Sequence, residues 1–216
     1  MTAEELEKNL KVRKLDSLYL LYGEDIFLLE TCLKKIKSNF GEMVEGINYI
    51  KIDDKSINKL ISDIEVPAFG YEKKLIIAKN TGIFKKDTKK KDEINNVLQK
   101  NISNYIQKNI DIIRESCVII FIEQDINKVD LYKTIETLGV ICNFEKLKQP
   151  QIIKRLKAIC NAYKVNVDEG TLMYLTENSG TDMQNLINEI RKLIEYAGKN
   201  RYNKKRRYRY FINKTN

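Results

Sequence analysis

Tyr22, Gly23, Glu24 and Asp25 stand where a short apolar run meets a helical pattern that begins at Ile26. In a doubly wound sheet this junction is where a phosphate sits, because the first helix offers free backbone N–H groups and the positive end of its dipole. Binding a nucleotide there calls for GxxxxGK[ST]: glycines for close approach, a lysine for the phosphates and a hydroxyl for magnesium. The chain supplies one glycine, followed by the carboxylates of Glu24 and Asp25. Acids at a helix N-terminus stabilise the helix and repel a triphosphate. Gly23 has two readings, a tight strand-to-helix turn that glycine permits without steric cost, or a residual ligand contact.

Other chemistries are bounded by residue type. There is no histidine, so Ser-His-Asp and Cys-His mechanisms are excluded, and any catalysis would rest on Asp, Glu, Lys or Tyr. Cys32, Cys117, Cys142 and Cys160 are scattered without a CxxC pair and read as reduced, mostly buried thiols. Asp53-Asp54 and Asp125-Asp130 read as solvated turns at strand ends, or as a metal site that lacks a third ligand. Lys85, Lys86, Lys89, Lys90 and Lys91 form a cluster that can meet a DNA phosphate backbone or simply be solvated. The net charge is +9, but residues 199–216 hold eight Lys or Arg and no acid, which leaves +1 on the rest. The body is nearly neutral, and a charge argument for nucleic acid applies to the tail.

These residues need a scaffold. SLYLLYG (Ser17 to Gly23) suits a buried strand, and Asp25 can cap a helix whose Ile26, Leu29, Leu33, Ile36 and Phe40 share one face. INYIKI (Ile47 to Ile52) reads as a strand, Ser56 to about Glu65 as a helix, and KLIIA (Lys74 to Ala78) as a fully buried strand. Lys79 to Asp92 reads as a solvated, lysine-rich loop before a long helix with Ile94, Leu98, Ile102, Tyr105 and Ile106 inward. CVIIFIE (Cys117 to Glu123) is the most strand-like run, and GVICNF (Gly139 to Phe144) follows a short helix from Val129 to Leu138. Strands alternating with helices predict an α/β fold with a parallel sheet covered on both faces.

Between Lys146 and Pro150 the period changes to 3.6 and stays there, which predicts helices over Pro150–Tyr163, Asp168–Asn178 and Asp182–Ala197. The length suits two modest domains. No apolar run approaches the roughly 20 residues of a membrane span, and the charged N-terminus lacks the features of a signal peptide, so the expected location is the cytoplasm.

Four segments resemble the delta subunit of the bacterial DNA polymerase III clamp loader: YLLYGEDIFLLE (Tyr19 to Glu30), PAFGYEKKLIIAKN (Pro67 to Asn80), FEKLKQPQIIKRLKAICNAYKVNV (Phe144 to Val167) and GTDMQNLINEIRKL (Gly180 to Leu193). Each alone has core-packing reasons for its pattern; together their order and spacing carry the resemblance over nearly the whole chain. It implies an AAA+-like (P-loop NTPase-like) five-stranded domain over 1–146 without a Walker A motif and a three-helix lid over 147–198. It also implies no cofactor and no catalytic site, as in an accessory subunit of a DNA-directed DNA polymerase holoenzyme. In the last segment Asp182 starts the third lid helix, and Asn188, Glu189 and Lys192 stand beside a core stripe of Met183, Leu186, Ile190 and Leu193. The arginine of an ATP-sensing GAxR motif is missing at that turn, in keeping with the missing P-loop.

The implied partners are the beta sliding clamp, the ATPase tau/gamma-type and delta-prime subunits if a collar domain is supplied, and DNA within the complex, with no membrane. In the family a Leu-Phe pair at a helix end inserts into a hydrophobic pocket of the clamp and lets the ring open. Counting six residues back from Leu75 puts Phe69 on that phenylalanine and Ala68 on the leucine, so Val66, Pro67, Ala68 and Phe69 are the implied clamp contact. Ala68 departs from the pattern and leaves Val66 to supply the missing apolar contact. Phe69 can instead cap the domain core, but Pro67 and Gly70 favour an exposed turn.

Delta subunits carry a third, helical collar domain for which nothing remains after Gly198, and 199–216 is a basic tail with no apolar period. Read one base out of frame with AT-rich codons, Arg201 to Lys214 gives a glycine, an acidic helix start and spaced aliphatics. The tail is therefore expected to be a frameshifted remnant and not a DNA-binding arm; an intact collar frame downstream in the gene decides the matter. A delta-prime or ATPase subunit would carry zinc-binding cysteines or a P-loop. Another nucleotide-binding α/β protein is disfavoured by Glu24 and Asp25. A nucleic-acid binder working through the tail would lose affinity steeply with salt.

Overall fold

A computed structural model describes residues 1–12, 15–85 and 91–199. The chain divides into two compact units, Met1–Glu145 and Lys146–Asn216. In the first, α1 (Ala3–Lys11) precedes β1 (Leu18–Tyr22), α2 (Ile26–Phe40) and β2 (Tyr49–Ile52). A 3-10 turn over Ile57–Lys59 then leads into α3 (Leu60–Glu65) and β3 (Lys74–Lys79). After these come α4 (Lys91–Lys108), α5 (Ile110–Ser116), β4 (Cys117–Glu123), α6 (Asp130–Leu138) and β5 (Val140–Asn143). The five strands are parallel in the order β2-β3-β4-β1-β5. The expected α/β class is the observed one.

The period of two along each strand divides the interior into two cores. Leu18 and Leu20 of β1 and Cys117, Ile119 and Phe121 of β4 face one side, against Leu60 and Ile64 of α3, Ile102 and Ile106 of α4, Ile113 of α5 and Ile135 of α6. Tyr19 and Leu21, with Val118, Ile120 and Ile122, face the other, against Leu6 and Leu10 of α1 and Leu29, Cys32, Leu33 and Ile36 of α2. β4 is buried along its whole length because it is covered on both faces, as its unbroken apolar run requires. Each such large side chain contributes roughly 1.5–3 kcal/mol on burial.

Two expectations need correction. The stretch from Lys79 to Asp92 is not a solvated loop throughout. Thr81, Ile83 and Phe84 are buried, Phe84 packs edge-on against Phe121 at 5.4 Å, and Lys91 and Asp92 already belong to α4. A pair of apolar residues has no period to detect, and the turn that inserts it is held by a distant side chain. The buried Glu123 carboxylate accepts from the Thr81 N–H (2.8 Å), the Thr81 hydroxyl (2.6 Å) and the Gly82 N–H (3.2 Å). Burial raises the Glu123 carboxyl above its ordinary value, and these bonds oppose the shift. The second correction is that β2 starts at Tyr49 and not at Ile47. The Asn48 amide is turned to the preceding loop, accepting from the Val44 N–H at 2.6 Å and donating to the Glu42 carbonyl at 2.9 Å. Of the inward residues expected on α4, Ile102 and Ile106 are buried and Leu98 and Tyr105 half-buried, while the Ile94 side chain lies outside the described residues.

The second unit contains α7 (Gln149–Ala162), α8 (Glu169–Ser179) and α9 (Met183–Lys199). Pro150 sits in the first turn of α7, where its missing N–H costs nothing. Asp168 caps α8 by accepting from the Thr171 N–H at 3.0 Å, and Asp182 accepts from the Asn185 N–H at 2.7 Å at the start of α9. Ile152, Leu156, Cys160, Leu172, Leu175, Met183, Leu186, Ile190 and Leu193 are buried. Residues 200–216, including nearly all of the basic tail, lie outside the described residues.

Candidate functional site

The parallel sheet gives the molecule two edges, and the candidate sites fall on opposite ones. The β1–α2 loop lies at the C-terminal edge. Asp25 is the N-cap of α2: it is 7% exposed, and its Oδ1 accepts from the Leu28 N–H at 2.9 Å. Its other carboxylate oxygen is buried without a hydrogen-bond partner among the described residues, so a phosphate placed here would meet uncompensated negative charge. The loop is also strapped to the end of β5. The Phe144 N–H donates to the Tyr22 carbonyl (2.7 Å) and the Asp25 N–H to the Phe144 carbonyl (2.9 Å). Gly23 has φ +130°, and a Cβ there would lie 2.4 Å from the Phe144 carbonyl oxygen. Gly23 thus serves close chain approach and leaves no cradle for a ligand. ATP with magnesium is expected to leave the melting temperature unchanged, since specific binding must stabilise the folded state; a saturable rise in a thermal-shift titration would contradict this.

The segment Val66–Tyr71 lies at the N-terminal edge, between α3 and β3. The Tyr71 N–H donates to the Ala68 carbonyl at 2.9 Å, and Gly70 has φ +81° while Phe69 does not enter the left-handed region. That is a type II turn with Phe69 at its first corner and glycine at the position that demands positive φ. Phe69 is 74% exposed and Val66 51%, with Pro67 also exposed and Ala68 half-buried. Phe69 therefore does not cap the domain core. The base of the turn is fixed by Lys74, the first residue of β3. Only 2% exposed, its ammonium donates to the Asp63 carbonyl at 2.5 Å and to the Val66 carbonyl, taking up free acceptors at the end of α3.

Of the lysine cluster, Lys85 is exposed. Lys86, Lys89 and Lys90 lie outside the described residues, as does the side chain of Lys91, the first residue of α4. All four cysteines are free and buried, and burial pushes the Cys142 thiol up to about 12 and those of Cys117 and Cys160 above their ordinary value, which favours the protonated thiol in these three. Among the described residues no group of three or more His, Cys, Asp or Glu can hold a metal. Asp53 accepts instead from the backbone and hydroxyl of Ser56 (3.0 and 2.6 Å) in a tight turn. No helix among the described residues is long and apolar enough to cross a membrane.

The family model described as DNA polymerase III, delta subunit, matches residues 19–157, well over half of the chain. The chain belongs to the DNA polymerase III delta subunit family. The probable DNA polymerase III subunit delta of Aquifex aeolicus is 25% identical over 190 residues, covering 84% of this chain and 51% of the relative. The Bacillus subtilis DNA clamp loader delta protein superposes with a TM-score of 0.67 at 18% identity, over 91% of this chain and 58% of that one, and so shares its fold. The chain spans little more than half the length of either relative.

Within this delta-family fold the four residues singled out by the sequence, Val66 to Phe69, form one continuous surface segment, whereas the lysine cluster is described only at Lys85. Lys74 was not singled out. A lysine opening a strand that reads as fully buried was the signal available.

Proposed function

We propose that the chain grips the beta sliding clamp as a delta-type clamp-loader subunit, with Phe69 and Val66 entering an apolar pocket of the clamp and wedging the ring open for loading onto DNA. The observation that carries this reading is the exposure of Phe69 at the corner of a hydrogen-bonded turn with a buried tether beneath it. An aromatic held in water by a rigid turn is a ready hot spot: its exposed area is available for burial and little conformational entropy remains to be lost. Membership of the delta family and the absence of a phosphate cradle in the β1–α2 loop support a gripping role without catalysis. ATPase tau/gamma-type and delta-prime subunits would then drive the cycle, and Lys85 with its neighbouring lysines would meet DNA phosphates inside the complex. The cytoplasm, where replication takes place, is the location this role requires.

The test is equilibrium binding of the purified chain to the sliding clamp of the same organism across a salt series. Saturable binding at micromolar affinity or tighter, surviving about 500 mM salt because its anchor is apolar, is the expected outcome. A folded sample that shows no binding would overturn the reading.

A further inference from the structure

The Phe69 turn holds its internal shape through Gly70 and the Tyr71–Ala68 hydrogen bond, and neither of these fixes where the turn points. Its placement depends on Lys74. Asp63 stands four residues before Pro67, so the N–H that would bond the Asp63 carbonyl in a continuing helix is missing. The Lys74 ammonium takes that place at 2.5 Å and donates a second bond to the Val66 carbonyl, at the residue where the turn leaves α3. Among the described residues this second bond is the one hydrogen bond that joins Val66–Tyr71 to the sheet, since the Val66 N–H goes to Ser62 within α3 and the Tyr71 N–H stays inside the turn.

On stability grounds alone a lysine is an unfavourable residue for this position. It is 2% exposed at the head of a strand whose next four residues are buried, and its ammonium enters no ion pair among the described residues. Stripping water from a cation that has no carboxylate partner opposes folding, and an apolar side chain would suit the strand better. A residue that breaks the local rule in this way is expected where function needs it. An anchor whose direction is fixed before contact loses less freedom on binding than one that samples many directions. We propose that Lys74 is a positioning residue for the clamp contact: buried beneath the turn, it reaches no partner, and through its bond to Val66 it sets the direction in which Phe69 is presented. For what Phe69 meets, the inference rests on the clamp-gripping reading given above.

Clamp affinity and the mobility of the tip test it together. Lys74→Met is expected to weaken clamp binding by about tenfold in the wild-type chain and by less than about twofold in the Phe69→Ala chain, because a residue acting through the ring has nothing to act on once the ring is gone. The chain contains no tryptophan, so Phe69→Trp places a single indole fluorophore at the tip. Its time-resolved anisotropy, read without any clamp, is expected to show a roughly twofold larger nanosecond depolarisation when Lys74→Met is added, with the slow tumbling phase unchanged. Should Lys74→Met lose the fold, Lys74→Leu, which matches the apolar residues after it, serves for both comparisons. Wild-type affinity in a folded Lys74 variant, equal penalties in the two Phe69 backgrounds, or an unchanged anisotropy decay would each overturn the inference and leave clamp gripping intact. If the wild-type chain itself does not bind the clamp, the gripping reading fails and the clamp role of Lys74 with it, while the anisotropy still reports whether Lys74 fixes the tip.

Discussion

Phe69→Ala is expected to weaken clamp binding by about thirtyfold or more, the equivalent of about 2 kcal/mol for a lost aromatic anchor, while leaving the free energy of unfolding within about 1 kcal/mol of wild type. The two halves of this result follow from one fact. At 74% exposure the ring contributes little to the folded state, so its removal opens no cavity. The turn keeps its shape without the ring, because Gly70 and the Tyr71–Ala68 hydrogen bond set it. What is lost is area that only a partner can bury. Ala68 sharpens the effect: it is half-buried and small, so Val66 is the other apolar side chain on the segment that can share the load. Surface plasmon resonance with the clamp, beside urea unfolding of the same preparations, reads both quantities. Equal affinities for variant and wild type, or a variant whose binding merely tracks its folded fraction, would move the clamp contact elsewhere.

The second large effect is on the fold itself. Gly23→Ala is expected to destabilise the chain by about 3 kcal/mol or more, a large share of the roughly 5–15 kcal/mol that holds a typical domain. At φ +130° an alanine is strained whatever the space around it. Its Cβ would also fall 2.4 Å from the Phe144 carbonyl oxygen and 2.8 Å from Oδ1 of Asn143, and backbone cannot yield there without breaking the bonds that join Phe144 to Tyr22 and Asp25. Urea unfolding gives the answer directly. A variant within about 1 kcal/mol of wild type would show that the loop tolerates movement, and the packing account of Gly23 would fail.

The strand positions were legible because a parallel sheet covered on both faces needs unbroken apolar runs. CVIIFIE, the longest and most apolar, lies between two other strands, while YIKI, with a lysine in a run of four, lies at the edge. Strand order was not legible, since periodicity says which residues are buried and nothing of which strand is the neighbour. Residues held by a single distant side chain were also missed. Ile83 and Phe84 enter the core because Glu123 receives the turn before them, and nothing local to Thr81 announces a carboxylate at position 123. At the candidate site the punctuation by Pro67 and Gly70 predicted an exposed turn, and the type II geometry around Gly70 bears this out. The tether beneath it stayed hidden because a strand pattern that buries Lys74 does not say which carbonyls its ammonium meets.

That tether has a mechanical meaning. Lys74 belongs to β3, which is hydrogen-bonded to β2 on one side and β4 on the other, and its ammonium grasps the carbonyls from which the turn departs. A load applied at Phe69 thus has a path through these hydrogen bonds into β3, an interior strand of the sheet. In the proposed role, a tip that pries another surface apart does work only when its own mounting does not bend first, and here the mounting is a strand paired on both sides.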